Sequence, residues 1–441
     1  MFTRKELIKL IIPLIIEQML AITVGMAAGM MVARVGEAAV SGVSLVDTIN
    51  VLLIGLFGAL ATGGAVVSAQ FLGQGSKEAA CTAGEQLIAA VLALSLIVMV
   101  IALLFGNFVL TLLFGDVNAD VMGNAKIYFF YSAISFPFIA VYSACAALFR
   151  SMGNSKISMI ISLLMNIINI ISNAILIFVL DMGVAGAAIS TLLSRMVAAV
   201  VMFLLLMNRK QVIHIRNPRE FRINIGMIKR ILQIGIPNGL ENSAFQIGKI
   251  IVQRIVAGLG TSAITANAIA GSIGGLGVLP GSAIGLALIT VVGRCIGARD
   301  FPAVKRYTFR LMRFAYIAVA IFNLAIVFAL PAIMNMYGVS EQTADLATNL
   351  MIYYCILSTL IWPLSFALPN ALRAANDVRF TMWISMISMW VWRIAFSYVL
   401  AITFGMGLLG IWIAMTIDWL FRSIFFVIRF LQGKYKNMPM I

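Results

Sequence analysis

The sequence predicts an all-α membrane protein with twelve transmembrane helices in two six-helix lobes related by a pseudo-twofold axis. The chain is 62% hydrophobic and 11% charged, with a mean hydropathy of +1.05, a balance that a water-soluble protein of this length does not tolerate on its surface. Apolar runs of about 20 residues recur along the chain, and each is long enough to cross a bilayer as a helix. The pattern of the first half also returns in the second half, as expected for two similar lobes.

The predicted spans are joined by short polar connections. In the first half they lie near residues 7–32, 43–72, 86–114, 127–149, 156–180 and 184–207. In the second half they lie near residues 231–257, 263–293, 308–337, 349–371, 381–404 and 407–430. Because the first run is too long for a signal-peptide core and contains Glu17 and Gln18, we expect it to remain as the first helix.

The repeat has an offset of about 224 residues. Six spans per repeat give both lobes the same orientation, so their pseudo-twofold axis runs along the membrane normal. We therefore divide the chain into an amino-terminal lobe (1–207), a basic cytoplasmic linker (208–230) and a carboxy-terminal lobe (231–441). Matched residues include Pro13 and Pro237, Glu17 and Glu241, Gly36 and Gly260, and Gly73 and Gly297. The two prolines predict a kink in each matched span, because each removes a backbone N–H.

The net charge of +15 does not indicate nucleic-acid binding, because the basic residues alternate between the two sides of the spans instead of forming one patch. When the amino terminus is placed in the cytoplasm, Arg34 and Lys126 are the only basic residues in loops on the opposite side. The positive-inside rule then predicts a multi-pass protein of the cytoplasmic membrane with both termini in the cytoplasm.

The residues for common enzymatic chemistry are missing. His214 is the only histidine, so neither a zinc site of the H-E-x-x-H type nor a histidine triad can be formed. The sequence has no phosphate-binding G-x-x-x-x-G-K-[ST] loop. We therefore expect no enzyme, no metal and no cofactor, and we expect transport to draw on an ion gradient.

Short motifs at the span ends resemble those of the multidrug and toxic compound extrusion (MATE) family. Val32–Gly36 closes span one, Gln70–Gly75 closes the glycine-rich span two, and Leu148–Asn154 follows span four with a mirror, Ala371–Asn376, after span ten. Their order and spacing are specific, and the resemblance covers nearly the whole chain. It implies a V-shaped helical bundle that exports organic, often cationic, compounds in exchange for protons or sodium ions.

The resemblance also implies carboxylates that this chain lacks. One prokaryotic branch has an aspartate two helical turns before the glycine that closes span one, where this chain has Ala28. Its Asn-x-x-x-Asp motif of span five ends here in Asn173, and an amide cannot titrate. The other branch carries acids in spans seven and ten. Here Glu241 lies one turn earlier than that pattern, and span ten has no acid.

Three acids lie well inside predicted spans: Glu17, Glu241 and Asp418. A charge at the bilayer centre costs about 2.5–3.5 kcal/mol on insertion scales, so each should face the lobe interior or a water-filled cleft. All three are candidates for ion coupling. Glu241 is preferred, because a desolvated carboxylate without an adjacent base is suited to bind a proton. The mirrored position of Glu17 also fits a shared kink or gate.

Two basic residues are candidate charge partners in the second lobe. Arg393 and Asp418 reach similar depths on antiparallel neighbouring spans, which predicts an ion pair between them. Lys249 lies two turns beyond Glu241, about 12 Å along the helix axis, so the two are not direct partners.

The first lobe carries polar amides within its spans. Asn166, Asn169 and Asn173 form an i, i+3, i+7 stripe on span five, and Asn50 and Gln18 lie in neighbouring spans. Either these side chains join helices by hydrogen bonds or they line a polar cavity.

The sequence thus predicts a secondary exporter, an antiporter that moves amphipathic, cationic organic compounds outward, coupled to a proton gradient, with sodium as the alternative ion. We expect a monomer whose partners are its substrates and the bilayer. A lipid-linked precursor flippase of the same superfamily is an alternative that Arg195, Lys249 and Arg393 support. A non-transporting membrane receptor is a second alternative, opposed by the matched lobes and the lack of any soluble domain.

Overall fold

The computed structural model describes residues 2–115, 117–216, 221–337 and 340–438, and over these ranges the chain is helical between short connections. The amino-terminal half forms α1 (Arg4–Ala33), α2 (Glu37–Gly73), α3 (Lys77–Phe114), α4 (Ala119–Ser151), α5 (Ser155–Val179) and α6 (Gly183–Leu206). The other half forms α7 (Ile225–Ala257), α8 (Thr261–Gly297), α9 (Phe301–Tyr337), α10 (Glu341–Ala374), α11 (Val378–Thr403) and α12 (Gly407–Leu431). The predicted all-α class and the order of its spans are confirmed.

Eleven helices of the described part are long and apolar enough to cross a membrane. Helix α7 has 33 residues, between the 24 of α6 and the 37 of α8. Its apolar surface is interrupted by Asn238, Glu241, Asn242, Gln246 and Lys249. It occupies the position in the second repeat that α1 occupies in the first. The chain is therefore a multi-pass membrane protein in which α7 is the most polar of the long helices.

Matched residues begin and shape matched helices. Gly36 and Gly260 precede α2 and α8 with φ angles of +139° and +98°, a region that disfavours any side chain. Pro13 and Pro237 both lie inside their helices, α1 and α7. Pro13 has no N–H to donate to the Lys9 carbonyl. The Ser155 hydroxyl partly replaces this missing donor: it lies 3.5 Å from the Lys9 carbonyl oxygen and donates to the Leu10 carbonyl at 2.7 Å. The kinks themselves stay predictions.

The helices form two compact units, residues 2–239 and 240–441. This division falls inside α7, whereas the predicted linker ends at residue 230. The predicted lobe boundaries stay a prediction, but the first half of α7 packs with the amino-terminal unit. Gly63 of α2 permits this packing, because a methyl group there would lie 2.6 Å from the Ile231 carbonyl of α7. Gly63 thus lets α2 and α7 approach closely.

The described part of the predicted linker is attached to α3. The Arg216 backbone N–H donates to Glu85 at 2.9 Å, and the Gln86 amide donates to the Arg222 carbonyl at 2.8 Å. The hydrogen-bonded Glu85 carboxylate raises the pKa of Arg216 above its usual value. Pro218 of the linker lies outside the described residues.

Candidate functional sites in the two helical units

Two repeat-related ion pairs join the first and fourth helices of each repeat. Arg150 of α4 lies 3.2 Å from Glu17 of α1, and the Ser158 hydroxyl donates to the other Glu17 oxygen at 2.7 Å. In the second repeat, Arg373 of α10 lies 2.7 Å from Glu241 of α7. The premise that Glu241 has no adjacent base was therefore wrong.

Both glutamates are buried, and each has an arginine to compensate its charge. A carboxylate and a guanidinium at this distance form a charge-assisted hydrogen bond, so each pair holds two helices together. Each ion pair joins two helices, α1 to α4 or α7 to α10, and is called a clamp below. The coupling roles of Glu17 and Glu241 stay predictions.

Asp418 of α12 is at the centre of a buried cluster and is completely inaccessible. Arg393 of α11 lies 3.6 Å from it, at ion-pair distance, a juxtaposition that the matched depths predict. The shorter contacts come from elsewhere: the Arg422 Nε donates at 2.9 Å and the Ser388 hydroxyl at 2.6 Å. Sequence reasoning missed Arg422, although its i, i+4 spacing from Asp418 on one helix was a usable signal.

A cavity of about 450 Å³ opens beside this cluster within the carboxy-terminal unit. Arg393 reaches it from a π-helical stretch of α11, Met389–Ala395, a local widening that is often found at functional sites. Lys249 of α7 enters from another side. Much of the remaining wall is aromatic, formed by Phe245, Tyr354, Trp362, Phe366, Trp412 and Trp419.

Three cations surround the Phe245 ring of this cavity. Lys249 Nζ lies 5.2 Å from the ring centroid, and the guanidinium carbons of Arg393 and Arg422 lie at 5.7 and 5.4 Å. Each such contact is worth about 0.5–2 kcal/mol, which offsets only part of the cost of a desolvated charge. Since Asp418 is the single acid in ion-pair contact with this group in the described part, the cavity carries excess positive charge.

A second cavity, of about 290 Å³, lies within the amino-terminal unit. Asn166, Asn169 and Asn173 all line it, together with Ala28, which favours the cavity interpretation of the amide stripe. Asn173 donates to Asn169 at 3.0 Å. The Asn166 amide nitrogen and the Asn173 amide oxygen are buried without a hydrogen-bond partner among the described residues, so both remain available to a ligand.

Asp47 of α2 supplies this cavity with a carboxylate that sequence reasoning missed. The predicted span began at residue 43, which placed Asp47 at its edge, but α2 starts at Glu37. Asn50 is not part of the lining and instead donates to Asp47 at 3.2 Å. Gln18 is half-buried on α1 and lies outside the lining. The i, i+3 spacing of Asp47 and Asn50 was the signal that could have identified the acid.

Asp47 differs from the three predicted acids because it is exposed and no cation of the described part lies within ion-pair distance of it. Arg195 lines the same cavity and interacts with it electrostatically, but the Arg195 guanidinium donates to Ser135 at 2.7 Å. The cavity therefore holds one acid and one base that do not neutralise each other by direct contact.

A membrane protein with two matched helical units, each containing polar groups around a cavity, has the architecture of a secondary transporter with parallel repeats. The MatE family model matches residues 13–175 and 237–399, and the chain belongs to this family of transporters. The two matched segments begin at Pro13 and Pro237, which the repeat pairs.

Individual relatives agree with this assignment. The chain is 29% identical to "Uncharacterized transporter YisQ" of Bacillus subtilis, with 93% of this chain and 90% of that protein covered. It is 28% identical to "Probable multidrug resistance protein NorM" of Thermotoga maritima, with 99% and 94% covered. A solved outward-facing structure of a multidrug resistance MATE transporter has the same fold, with a TM-score of 0.89, 21% identity and coverage of 98% and 97%.

Proposed function

We propose that this MATE transporter is a proton-coupled antiporter that exports amphipathic organic compounds, cationic ones included, across the cytoplasmic membrane as a monomer. The observation that carries the proposal is Asp47, a carboxylate in the amino-terminal cavity that no described cation neutralises at ion-pair distance. Relatives named as multidrug resistance proteins support the substrate class.

The charges of the amino-terminal cavity provide a mechanism for exchange. Ionised Asp47 offsets the positive charge of Arg195 and attracts an organic cation. Protonated Asp47 leaves the charge of Arg195 unopposed, which repels the same cation. A proton and a cation therefore compete for one carboxylate, and this negative coupling is what an antiporter requires. The Asn166 amide nitrogen and the Asn173 amide oxygen, which have no hydrogen-bond partner among the described residues, can orient the substrate beside it.

Glu241 is the second candidate for the coupling acid. One of its oxygens receives Arg373 at 2.7 Å, while the other is buried without a hydrogen-bond partner in the described structure. Glu17, whose two oxygens both have partners, and Asp418, which contacts two arginines, are less available.

Everted membrane vesicles that contain the full chain test the driving ion. We expect a fluorescent organic cation such as ethidium to accumulate in the vesicles when a pH gradient, acidic inside, is imposed. A sodium gradient without a pH gradient should give the rate of vesicles from cells with an empty vector. Accumulation that follows the sodium gradient instead would contradict proton coupling, and accumulation with neither gradient would contradict antiport.

The predicted orientation can be tested by cysteine labelling of the linker. A cysteine in place of the exposed Lys210 should react with a membrane-impermeant maleimide only after the cells are permeabilised. The four native cysteines are buried, so their background should be low. Cysteine in place of the exposed Lys126 is the matched control and should react in intact cells. Labelling of position 210 in intact cells would reverse the topology. Position 217, also in the linker, lies outside the described residues.

A further inference from the structure

The cavity of the carboxy-terminal unit has donor groups that lack a hydrogen-bond acceptor. Trp419 Nε1 and Arg393 Nη1 both belong to residues that line it, and neither has a hydrogen-bond acceptor among the described residues, although Arg393 Nη1 lies at ion-pair distance, 3.6 Å, from Asp418. Trp419 is 3% exposed. Lys249 Nζ, the third donor, has no carboxylate within ion-pair distance in the described chain.

The main acceptors of the same wall are already occupied. The Asn267 oxygen accepts from Trp412 Nε1 at 2.9 Å, and the Gln253 oxygen accepts from the Asn267 amide at 3.1 Å. The Tyr354 hydroxyl donates to the Gly274 carbonyl at 3.0 Å. The polar groups of the cavity that remain available to a ligand are therefore mainly hydrogen-bond donors, and two of these donors are cations.

The buried Trp419 N–H is costly to leave without an acceptor, and the exposed Lys249 has no acid partner of its own in the described chain. Asp418 compensates only part of this charge, because it also receives Arg422 at 2.9 Å. A ligand group that supplies negative charge and several acceptor lone pairs would satisfy Lys249, Arg393 and Trp419 together. Carboxylates, sulfonates and phosphates have this chemistry.

We propose that the cavity of the carboxy-terminal unit binds the acidic group of an amphipathic anion. The acid group lies against Lys249, Arg393 and the Trp419 N–H, and the apolar body lies against the aromatic wall. The volume of about 450 Å³ is within the range of small-molecule sites. The transported class then includes organic acids as well as the cations assigned to the amino-terminal cavity.

The binding step is tested on purified full-length protein in detergent by isothermal titration calorimetry. The probes are 2-naphthoate, the neutral 2-naphthamide and the cationic 2-naphthylmethylammonium, which share one ring system. We expect the acid to bind at least tenfold more tightly than the amide, and the cation to bind weakest at this site. Equal affinities for acid and amide would overturn the proposal.

Variants connect the affinity to the cavity. Lys249→Gln and Trp419→Phe should each weaken naphthoate binding about threefold to thirtyfold, while the affinity for the amide changes little. Neither residue contacts a carboxylate of the described structure, so both variants should fold. Arg254→Gln is the matched control, because Arg254 is exposed on α7 and does not line the cavity. Loss of naphthoate binding in the control, or its retention in both cavity variants, would contradict the assignment.

The acidic group could belong to a soluble organic acid or to a lipid headgroup. Adding phosphatidylglycerol to the micelles, with phosphatidylcholine as the control lipid, distinguishes them. If phosphatidylglycerol competes with naphthoate and phosphatidylcholine does not, the ligand is a lipid or lipid-linked anion. If neither lipid competes, the ligand is a small organic acid.

Only the transport experiment, unlike the binding experiments, rests on the proposed exporter function. In the everted vesicles, bound naphthoate should also accumulate, and Lys249→Gln should reduce its accumulation without reducing that of ethidium. Binding without any transport of either probe would overturn the exporter function, whereas ethidium transport without naphthoate binding would overturn the anion site.

Discussion

Replacing Asp418 with alanine is expected to leave little folded protein. The carboxylate is fully buried and compensates Arg422 at 2.9 Å and Arg393 at 3.6 Å. Its removal leaves two guanidinium groups beside a third cation, Lys249, around one aromatic ring. Removing one partner of a truly buried pair costs about 3–5 kcal/mol, and here one substitution removes the counter-charge of two partners.

Substitution of Arg393, the partner of Asp418, should be milder. Arg393→Ala leaves Asp418 paired with Arg422 and should cost less than Asp418→Ala. Exchanging Arg393 and Asp418 should recover little, because an arginine at position 418 would lie one helical turn from Arg422 and repel it. This differs from an isolated pair, in which exchanging the partners keeps both charges compensated.

Folded yield and thermal midpoint in detergent, measured by fluorescence-detected size exclusion, would report these effects. Asp345→Ala, at an exposed position of α10 in the same unit, is the matched control and should behave like the unmodified protein. A double-mutant cycle between positions 393 and 418 gives their interaction energy directly. Losses that simply add would show that Arg393 and Asp418 act independently.

Asp47→Asn is expected to abolish gradient-driven export while folded yield stays near normal. The side chain is exposed, and asparagine retains an oxygen that can accept from Asn50. The amide cannot bind and release a proton, so the competition between proton and cation is lost. In the everted-vesicle assay, ethidium accumulation driven by the pH gradient should fall at least tenfold, to the level of vesicles without the protein.

Two comparison variants make this result specific. Asp120→Asn changes an exposed aspartate in the first turn of α4 and should leave export unchanged. Glu241→Gln tests the second coupling candidate. Undiminished export by Asp47→Asn together with lost export by Glu241→Gln would assign coupling to the α7 acid and its Arg373 clamp. Loss of export in both variants, at normal folded yield, would show that both acids are necessary for export.

Sequence alone determined the number and order of the helices and the repeat. These follow from the bilayer, which requires about 20 apolar residues per crossing and leaves polar connections outside. The fixed rise of an α-helix also places Arg393 and Asp418 at similar depths, and charges inside the membrane are few. Helix ends were less accurate, and the later predicted start of span two is why Asp47 was overlooked.

Tertiary structure decided which charges meet. Arg150 and Arg373 lie at the carboxyl ends of α4 and α10, where the charge rule alone assigns them to the cytoplasmic surface, yet both contact glutamates of a helix far away in the chain. Long arginine side chains can place the charged group well away from their own backbone position. A one-dimensional pattern gives the depth of each residue but not which neighbour it faces, so the partners, and the uncompensated donors of the carboxy-terminal cavity, emerge only when the helices are packed.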